Sequence, residues 1–168
     1  KLQANSHYAL GLLMNDLGCR VESMLSLYFS LLLEPDTERS VESYKVLKSL
    51  WSQNIMVDST SSNKLVIPTY QLNENCSFHS IDLILSAIYA NNCGNNQFLK
   101  NKYELLISNT SSFFKLIGDF KASNLDFRQN LYITFFNNLF YANQVEPFCY
   151  YISTTSDDFI INNWLEIN

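Results

Sequence analysis

A chain of 168 residues has the length of one ordinary domain, and its apolar content of 47% excludes an intrinsically disordered protein. The net charge is −5, and eleven basic residues are scattered along the sequence, so we expect no nucleic-acid partner. No apolar run reaches the roughly 18 to 20 residues of a membrane span, so we also expect no membrane-spanning segment.

The composition favours helices over a turn-rich sheet protein. The chain contains only four Gly and three Pro, against twelve Phe and ten Tyr. We therefore predict an all-α, mostly helical fold made of antiparallel helical hairpins. We expect one helical domain over 1–168, with N-terminal hairpins at 4–53, an insertion or hairpin at 54–77 and a C-terminal helical part at 78–168.

Hydrophobic periodicity predicts the first two helices at 4–17 and 20–33. Gly18 suits the left-handed residue just past a helix C-terminus, and Pro35 ends the second helix. A third helix is predicted from near Thr37 to about residue 53. Its apolar stripe consists of Val41, Tyr44, Leu47, Leu50 and Trp51.

The stretch 54–68 differs in character from the helices around it. Two short runs rich in β-branched residues, Ile55–Val57 and Leu65–Ile67, flank a polar, turn-forming loop. The pattern predicts either a short β-hairpin within 55–67 or a flexible linker between two helical halves.

Helical patterns return after Phe78. The predicted helices cover 79–92, 97–108, 112–122 and 126–142, followed by a turn at 143–147, a strand or buried helix at 148–153 and a terminal piece through Trp164. The candidate N-caps are Thr110 or Ser111 for the third of these helices, Asn124 or Asp126 for the fourth, and Ser156 or Asp157 for the terminal piece.

The four cysteines have no paired spacing. An even count leaves a disulfide framework possible, but a domain of this size does not need one. We therefore expect Cys19, Cys76, Cys93 and Cys149 to be free, mostly buried thiols in a reducing compartment. The chain opens at Lys1 without a basic-then-apolar leader, so a cytoplasmic location is predicted.

Neither histidine has the neighbouring residues that a metal site or a catalytic site requires. His79 follows Cys76 by three residues and Cys93 could approach it, but zinc sites usually show two tight ligand pairs and this set has one. A pairing of Cys149 with His79 lacks any local signature of a nucleophile. The sequence therefore predicts no enzyme, no catalytic residue, no cofactor and no metal.

The stretch 7–35 resembles a tetratricopeptide repeat (TPR). The family's large aromatic residue, two further residues and Leu-Gly are met by His7, Leu10 and Gly11. The small residue of the second helix falls on Ser23, and the closing Pro on Pro35. The sequence departs from the family pattern at His7, Met14 and Leu27, where the family carries aromatic residues. A second copy of the repeat, at 83–111, matches the pattern less well.

The resemblance implies helices stacked into a curved array whose inner groove binds a peptide or a partner helix. It therefore implies a scaffold or chaperone-like adaptor with a protein partner. In that family the groove is lined by the first helix, which places the binding residues at Asn5, Tyr8, Leu12, Asn15 and Asp16. Tyr8 and Leu12 replace residues of the carboxylate-clamping members, so no clamp is expected; the alternative is that both are core residues.

Two further classes of function remain open from the sequence. Three helices followed by a hairpin at 55–67 have the element order of a winged-helix module, used here for protein contact in a regulatory or assembly complex. An acidic secretion chaperone or adaptor is the other class, since the C-terminal third is rich in aromatic residues that form either a core or an interface. These aromatic residues are Phe135, Phe136, Phe140, Tyr141, Phe148, Tyr150 and Tyr151.

Overall fold

A computed structural model of the chain describes residues 2–53, 55–58, 64–66, 76–94, 102–120 and 125–155. The predicted all-α class is confirmed, because most of these residues lie in helices. The helices are α1 (Leu2–Asp16), α2 (Arg20–Leu33), α3 (Glu38–Ser52), α4 (His79–Gly94), α5 (Lys102–Asp119), α6 (Phe127–Tyr141) and α7 (Val145–Ile152), and a 3₁₀ turn follows at Ser153–Thr155. Within the described ranges, no helix is both long and apolar enough to cross a lipid bilayer.

Two short strands follow α3. Strand β1 (Met56–Asp58) pairs antiparallel with β2 (Lys64–Val66), so that Val57 lies opposite Leu65. The pair lies in the stretch for which the sequence left a hairpin or a linker open, and residues 59–63 between the strands lie outside the described residues.

The turn between α1 and α2 is formed at Gly18, as predicted. Gly18 has φ of 72°, a left-handed conformation that glycine adopts without steric cost. Its N–H donates to the carbonyl of Asn15 at 2.9 Å, and the N–H of Cys19 donates to that of Met14 at 2.8 Å. This pair of hydrogen bonds is a Schellman motif, which satisfies two carbonyls at the end of α1.

The two helices of this hairpin approach closely at Gly11. A Cβ atom at that position would lie 2.7 Å from Cγ and Cδ2 of Leu27 on α2. The hydroxyl of Ser23 donates to the carbonyl of Gly11 at 2.7 Å, and Ser30 donates to that of Ala4 at 3.2 Å. The two helices therefore lie close together at Gly11 and Ser23, and hydroxyl groups of α2 are hydrogen-bonded to carbonyls of α1.

Helix α2 is the centre of the packing, in contact with α1, α3, α4, α6 and α7. The ring of Tyr28 lies at its middle, fully buried. Its hydroxyl is 2.8 Å from that of Thr110 and accepts from Nε1 of Trp51 at 3.1 Å. The aromatic rings packed around Tyr28 are those of Phe113, Phe114, Phe136 and Phe148.

A buried arginine joins α2 to its neighbours α3 and α4. The guanidinium of Arg20 contacts a carboxylate oxygen of Asp82 at 2.8 Å and donates to the hydroxyl of Ser86 at 2.8 Å. It also donates to the carbonyls of Leu50 at 2.7 Å and Trp51 at 3.1 Å. These carbonyls belong to the last turn of α3, where the N–H of Gln53 also donates to the carbonyl of Leu50 at 3.3 Å. Arg20 therefore adds side-chain donors to the end of that helix and helps to cap it.

Several predicted boundaries in the second half are wrong. Helix α5 runs without a break through the position where Thr110 or Ser111 was expected to cap a new helix. Thr110 is fully buried, and its hydroxyl is used by Tyr28 in the core rather than by a helix N-terminus. Helix α7 begins at Val145, inside the predicted turn 143–147, because Pro147 lies in its first turn, where a missing N–H costs no hydrogen bond.

Other predictions for this half are confirmed. Asp126 caps α6: its carboxylate accepts from the backbone N–H of Gln129 at 2.7 Å, and the Gln129 side chain accepts from the N–H of Asp126 at 2.9 Å. The turn after α6 is made at Asn143, which has φ of 56°. The terminal piece predicted at 156–164 lies outside the described residues.

The aromatic residues of the C-terminal third divide between core and surface. Phe136 and Phe148 lie in the centre of the core, and Phe135 and Phe140 are half-buried against it. Tyr141 is 65% exposed. Most of this aromatic content therefore fills the core between α2 and the C-terminal helices.

Candidate functional site

A cleft lies between α1, the first half of α2 and the start of α6. Its volume is about 470 Å³, a size typical of sites that enclose a small ligand or a few side chains of a partner. The apolar part of its lining comes from Leu10, Met14 and Leu17 of α1 and Leu25 of α2. Leu17 is 55% exposed, so an apolar side chain stands at the edge of the cleft.

The start of α6 supplies a polar wall opposite these leucines. The guanidinium of Arg128 lies 3.0 Å from the carboxylate of Asp126, and Nε2 of Gln129 donates to the hydroxyl of Ser77 at 2.9 Å. The N–H of Gln129 holds the pKa of Asp126 below its ordinary value, and Arg128 acts in the same direction. The wall therefore carries an ion pair whose two side chains are about half exposed to solvent.

Tyr132 of α6 lies deeper in the cleft than this ion pair. Its hydroxyl is hydrogen-bonded to Nδ1 of His7, whose ring packs against Phe29 at a centroid distance of 4.8 Å. Burial, followed by the charge of Arg128, lowers the pKa of His7. The interaction joins α1 to α6, so the imidazole holds the cleft walls together in its neutral form.

Cys19 and Cys76 form a disulfide, and this corrects the prediction that all four thiols are free. The bridge joins the residue before α2 to the segment before α4, 57 residues apart in sequence. The prediction failed because it relied on spacing along the chain, whereas the two cysteines meet only when α2 and α4 pack. Cys93 and Cys149 are free, as predicted.

Beside the bridge, Glu22 of α2 is buried, with 8% of its surface exposed. Its Oε1 accepts from the N–H of Phe78 at 3.3 Å, whereas Oε2 has no hydrogen-bond partner among the described residues. Burial raises the pKa of this carboxyl, although the N–H groups of Glu22, Phe78 and Ser77 oppose the shift. Both sulfur atoms of the bridge and a carboxylate oxygen of Glu22 lie within 4.8 Å of one another.

The structure does not bring together the residues that the sequence weighed for zinc or for a nucleophile. His79 and Cys93 stand at opposite ends of α4, about 21 Å apart by helical rise, and Nδ1 of His79 is 2.9 Å from the carbonyl of Cys76. Cys149 is fully buried, and burial raises its pKa to about 12, so its thiol stays protonated at neutral pH. The cysteine cluster with Glu22 was missed because Glu22 carries no local signal of a ligand.

The predicted binding residues lie on the other flank of α1. Ala4 and Gly11 lie on the face of α1 that contacts α2. By helical periodicity, Tyr8 and Leu12 lie on one side of this face and the cleft residue Leu10 lies on the other. The hydroxyl of Tyr8 donates to the carboxylate of Glu42 on α3, and both Tyr8 and Leu12 are half-buried. The other three predicted residues, Asn5, Asn15 and Asp16, are exposed.

One face of α6 is exposed, and of its residues the sequence named only Tyr141, among the aromatic residues of a core or an interface. This face carries Phe127, which is 81% exposed, with Leu131 one turn later at 40% and Tyr141 towards the end at 65%. These side chains stand at positions i, i+4 and i+14, so they share one face of the helix. Exposed aromatic and leucine side chains at such spacing are typical of contact surfaces.

No family model matches the chain, and the comparison with curated proteins and the comparison with solved structures each give no match.

Proposed function

We propose that this chain is a non-enzymatic protein-interaction module of the scaffold or chaperone-like adaptor type. Its partner is a protein that presents an apolar peptide or helix, and the binding place is the cleft between α1 and α6. The observation that carries the proposal is the cleft itself, with three apolar side chains of α1 facing the ion pair of Asp126 and Arg128. An apolar floor with a polar rim is the usual anatomy of a protein interface.

The occupant we infer is an amphipathic helix that lays apolar side chains along α1. The apolar residues Leu10, Met14 and Leu17 are spaced at i, i+4 and i+7. Apolar side chains with this spacing are typical of surfaces that pack against a partner helix. Phe127, beside the cleft-lining Asp126 and Arg128, offers an aromatic anchor. The resemblance of 7–35 to a TPR is part of this proposal. The proposed interface, however, lies on the side of α1 that carries Leu10 and not on the side that carries Tyr8.

Cellular location is a separate part of the proposal. The sequence predicted a cytoplasmic protein partly because free thiols were expected at every cysteine. Disulfides are rare in the cytosol and persist in oxidising compartments, so the bridge of Cys19 and Cys76 removes that support. We propose that the redox state of this pair indicates the compartment in which the protein resides. Thiol labelling of the protein in lysed cells measures that redox state.

The test is selection of binders from a displayed library of amphipathic helical peptides, followed by titration of a labelled peptide against purified variants. We expect Leu17→Arg and Phe127→Ser to weaken binding at least tenfold, since each removes an exposed apolar contact without touching the core. Leu33→Arg, at the exposed end of α2, is the matched control and should bind like the parent.

The same titration separates the two flanks of α1. Binding lost in Leu12→Ser and kept in Leu17→Arg would return the interface to the flank that the sequence predicted. A library that yields no binder to the folded parent would contradict the interaction module altogether.

A further inference from the structure

A second feature of the molecule is the buried group formed by Cys19, Cys76 and Glu22. The two sulfur atoms and a carboxylate oxygen all lie within 4.8 Å of one another. Oε2 of Glu22 is itself buried and makes no hydrogen bond to any described residue, and only 8% of the surface of Glu22 is exposed. A buried carboxylate oxygen without a partner is costly, and burial of such a group is normally matched by a cation or by hydrogen bonds.

We propose that reduction of the Cys19–Cys76 bridge turns this group into a site for one zinc ion, held by the two cysteine sulfurs and the Glu22 carboxylate. In the oxidised protein the sulfurs are bonded to each other and are not available as thiolate ligands. The site is therefore open to metal only in the dithiol state. Cys19 and Glu22 also line the cleft between α1 and α6, so a partner bound there would lie against the site, but metal binding is proposed for the chain without a partner.

The chemistry is balanced by a dithiol reductant. The reductant supplies two electrons and two protons: the S–S bond breaks, Cys19 and Cys76 become thiols, and the reductant closes into its own disulfide. Zinc then replaces the two thiol protons, which pass to the buffer, and each sulfur binds the metal as a thiolate. A fourth, water-held position completes the tetrahedral shell that zinc prefers.

The donor set selects zinc over the hard divalent cations. Magnesium and calcium prefer oxygen ligands, whereas a pair of thiolates with one carboxylate suits zinc and its spectroscopic substitute cobalt. Cys19 immediately precedes α2 and Cys76 lies three residues before α4, so the positive ends of two helices favour the thiolate form.

The experiment uses the whole chain carrying Cys93→Ser and Cys149→Ala, so that only the bridge cysteines can supply thiolate. The protein is prepared oxidised and, separately, reduced with a phosphine that does not hold the metal. In this case the phosphine becomes the phosphine oxide, and water supplies its oxygen and the two thiol protons. Each form is titrated with Co²⁺ alone, followed by Zn²⁺ in competition with a coloured chelator. We expect one equivalent per reduced chain, a thiolate-to-cobalt absorption band, release of about two protons, and no binding to the oxidised chain.

The variant Glu22→Gln keeps the shape of the side chain and removes its charge. We expect it to remain folded by circular dichroism and to bind zinc at least tenfold more weakly in the reduced state, with a cobalt spectrum altered by the changed ligand. Unchanged affinity in Glu22→Gln would remove the carboxylate from the site and overturn the proposal. So would a reduced chain that binds no cobalt, or one that unfolds on reduction and does not regain helix when zinc is added.

Discussion

The guanidinium of Arg20 lies 2.8 Å from the carboxylate of Asp82, at a place where the arginine side chain is only 1% exposed. The same guanidinium donates to two carbonyls at the end of α3. A single side chain therefore neutralises a carboxylate of α4 and completes the hydrogen bonding of another helix. Because a buried charge is tolerated only when it is paired, the three helices depend on one another at this point.

Replacing this arginine should destabilise the protein strongly. We expect Arg20→Met to lower the free energy of unfolding by about 3 to 5 kcal/mol, because Asp82 loses its ion pair and the carbonyls of Leu50 and Trp51 lose the hydrogen bonds from the guanidinium. Urea denaturation followed by circular dichroism measures the loss. Arg39→Met is the control: Arg39 pairs with Glu34 and is 41% exposed, so its loss should cost less than about 1 kcal/mol. Equal losses in the two variants would contradict the account.

A methyl group at Gly11 tests the contact between α1 and α2. Gly11→Ala gains about 1 kcal/mol of helix propensity, but the new Cβ collides with Leu27, a cost of about 1 to 3 kcal/mol. We expect a net loss of stability in the parent background. In a Leu27→Ala background the collision is gone, so the same Gly11→Ala change should become stabilising by about 1 kcal/mol. A substitution that has the same sign in both backgrounds would show that Leu27 does not set the spacing of the helices.

The disulfide should contribute measurably to stability. Chain-entropy theory gives about 4 kcal/mol for a loop closed across 57 residues, which is the amount we expect Cys19→Ser with Cys76→Ser to lose. The comparison is made by urea denaturation of both proteins with a chelator present. Cys93→Ser, a half-buried free thiol, is the control and should change the midpoint little. A double variant as stable as the parent would mean that the bridge adds nothing to the packing of α2 against α4.

The histidine that joins α1 to α6 should make stability depend on pH. The pKa of His7 is lowered in the folded chain, so between that value and the ordinary 6.5 the unfolded chain binds more protons. Stability from this group is therefore fully present above about pH 6.5 and declines as the pH falls through the folded pKa. The groups that face the imidazole are Tyr132 and Arg128, both on α6.

The measurement is urea denaturation at several values between about pH 5 and about pH 8, with an NMR titration of the imidazole protons. We expect His7→Gln, which can still hydrogen-bond the hydroxyl of Tyr132, to flatten the acid side of the profile. His79→Gln serves as the matched control and should keep the acid-side decline. If the free energy of unfolding of His7→Gln still decreases at acid pH as it does in the parent, groups other than His7 cause the decrease.

Features that depend on neighbours in sequence could be predicted. Gly18 and Pro35 act within one helical turn and were placed by residue type, and the same reasoning left two candidates for the cap of α6, Asn124 and Asp126, of which Asp126 is the cap. The apolar stripe of α3 was found for the same reason. The misplaced break at Thr110 shows the limit, because a threonine that suits a cap locally is used by Tyr28 from 82 residues away.

The candidate sites could not be predicted, because they are assembled from distant parts of the chain. Arg20 and Asp82 are separated by 62 positions and the two bridge cysteines by 57, and no periodicity connects them. One wall of the cleft is a regular stripe of Leu10, Met14 and Leu17 along α1 and the residue that follows it, but the sequence placed the binding residues on the opposite flank, at Tyr8 and Leu12. The other wall of the cleft, at Asp126 and Arg128, follows only from the packing of α6.

The bridge also closes a covalent ring that contains α2, α3 and both strands. Breaking any one peptide bond between Cys19 and Cys76 opens this ring but does not divide the molecule, since the sulfur atoms still hold the two pieces together. A protease that cuts inside the ring therefore leaves a single species of unchanged mass apart from one added water, and the fragments part only after reduction. If the chain were opened between β1 and β2 to create new termini, α2 and α4 would remain tethered through Cys19 and Cys76, which precede these two helices.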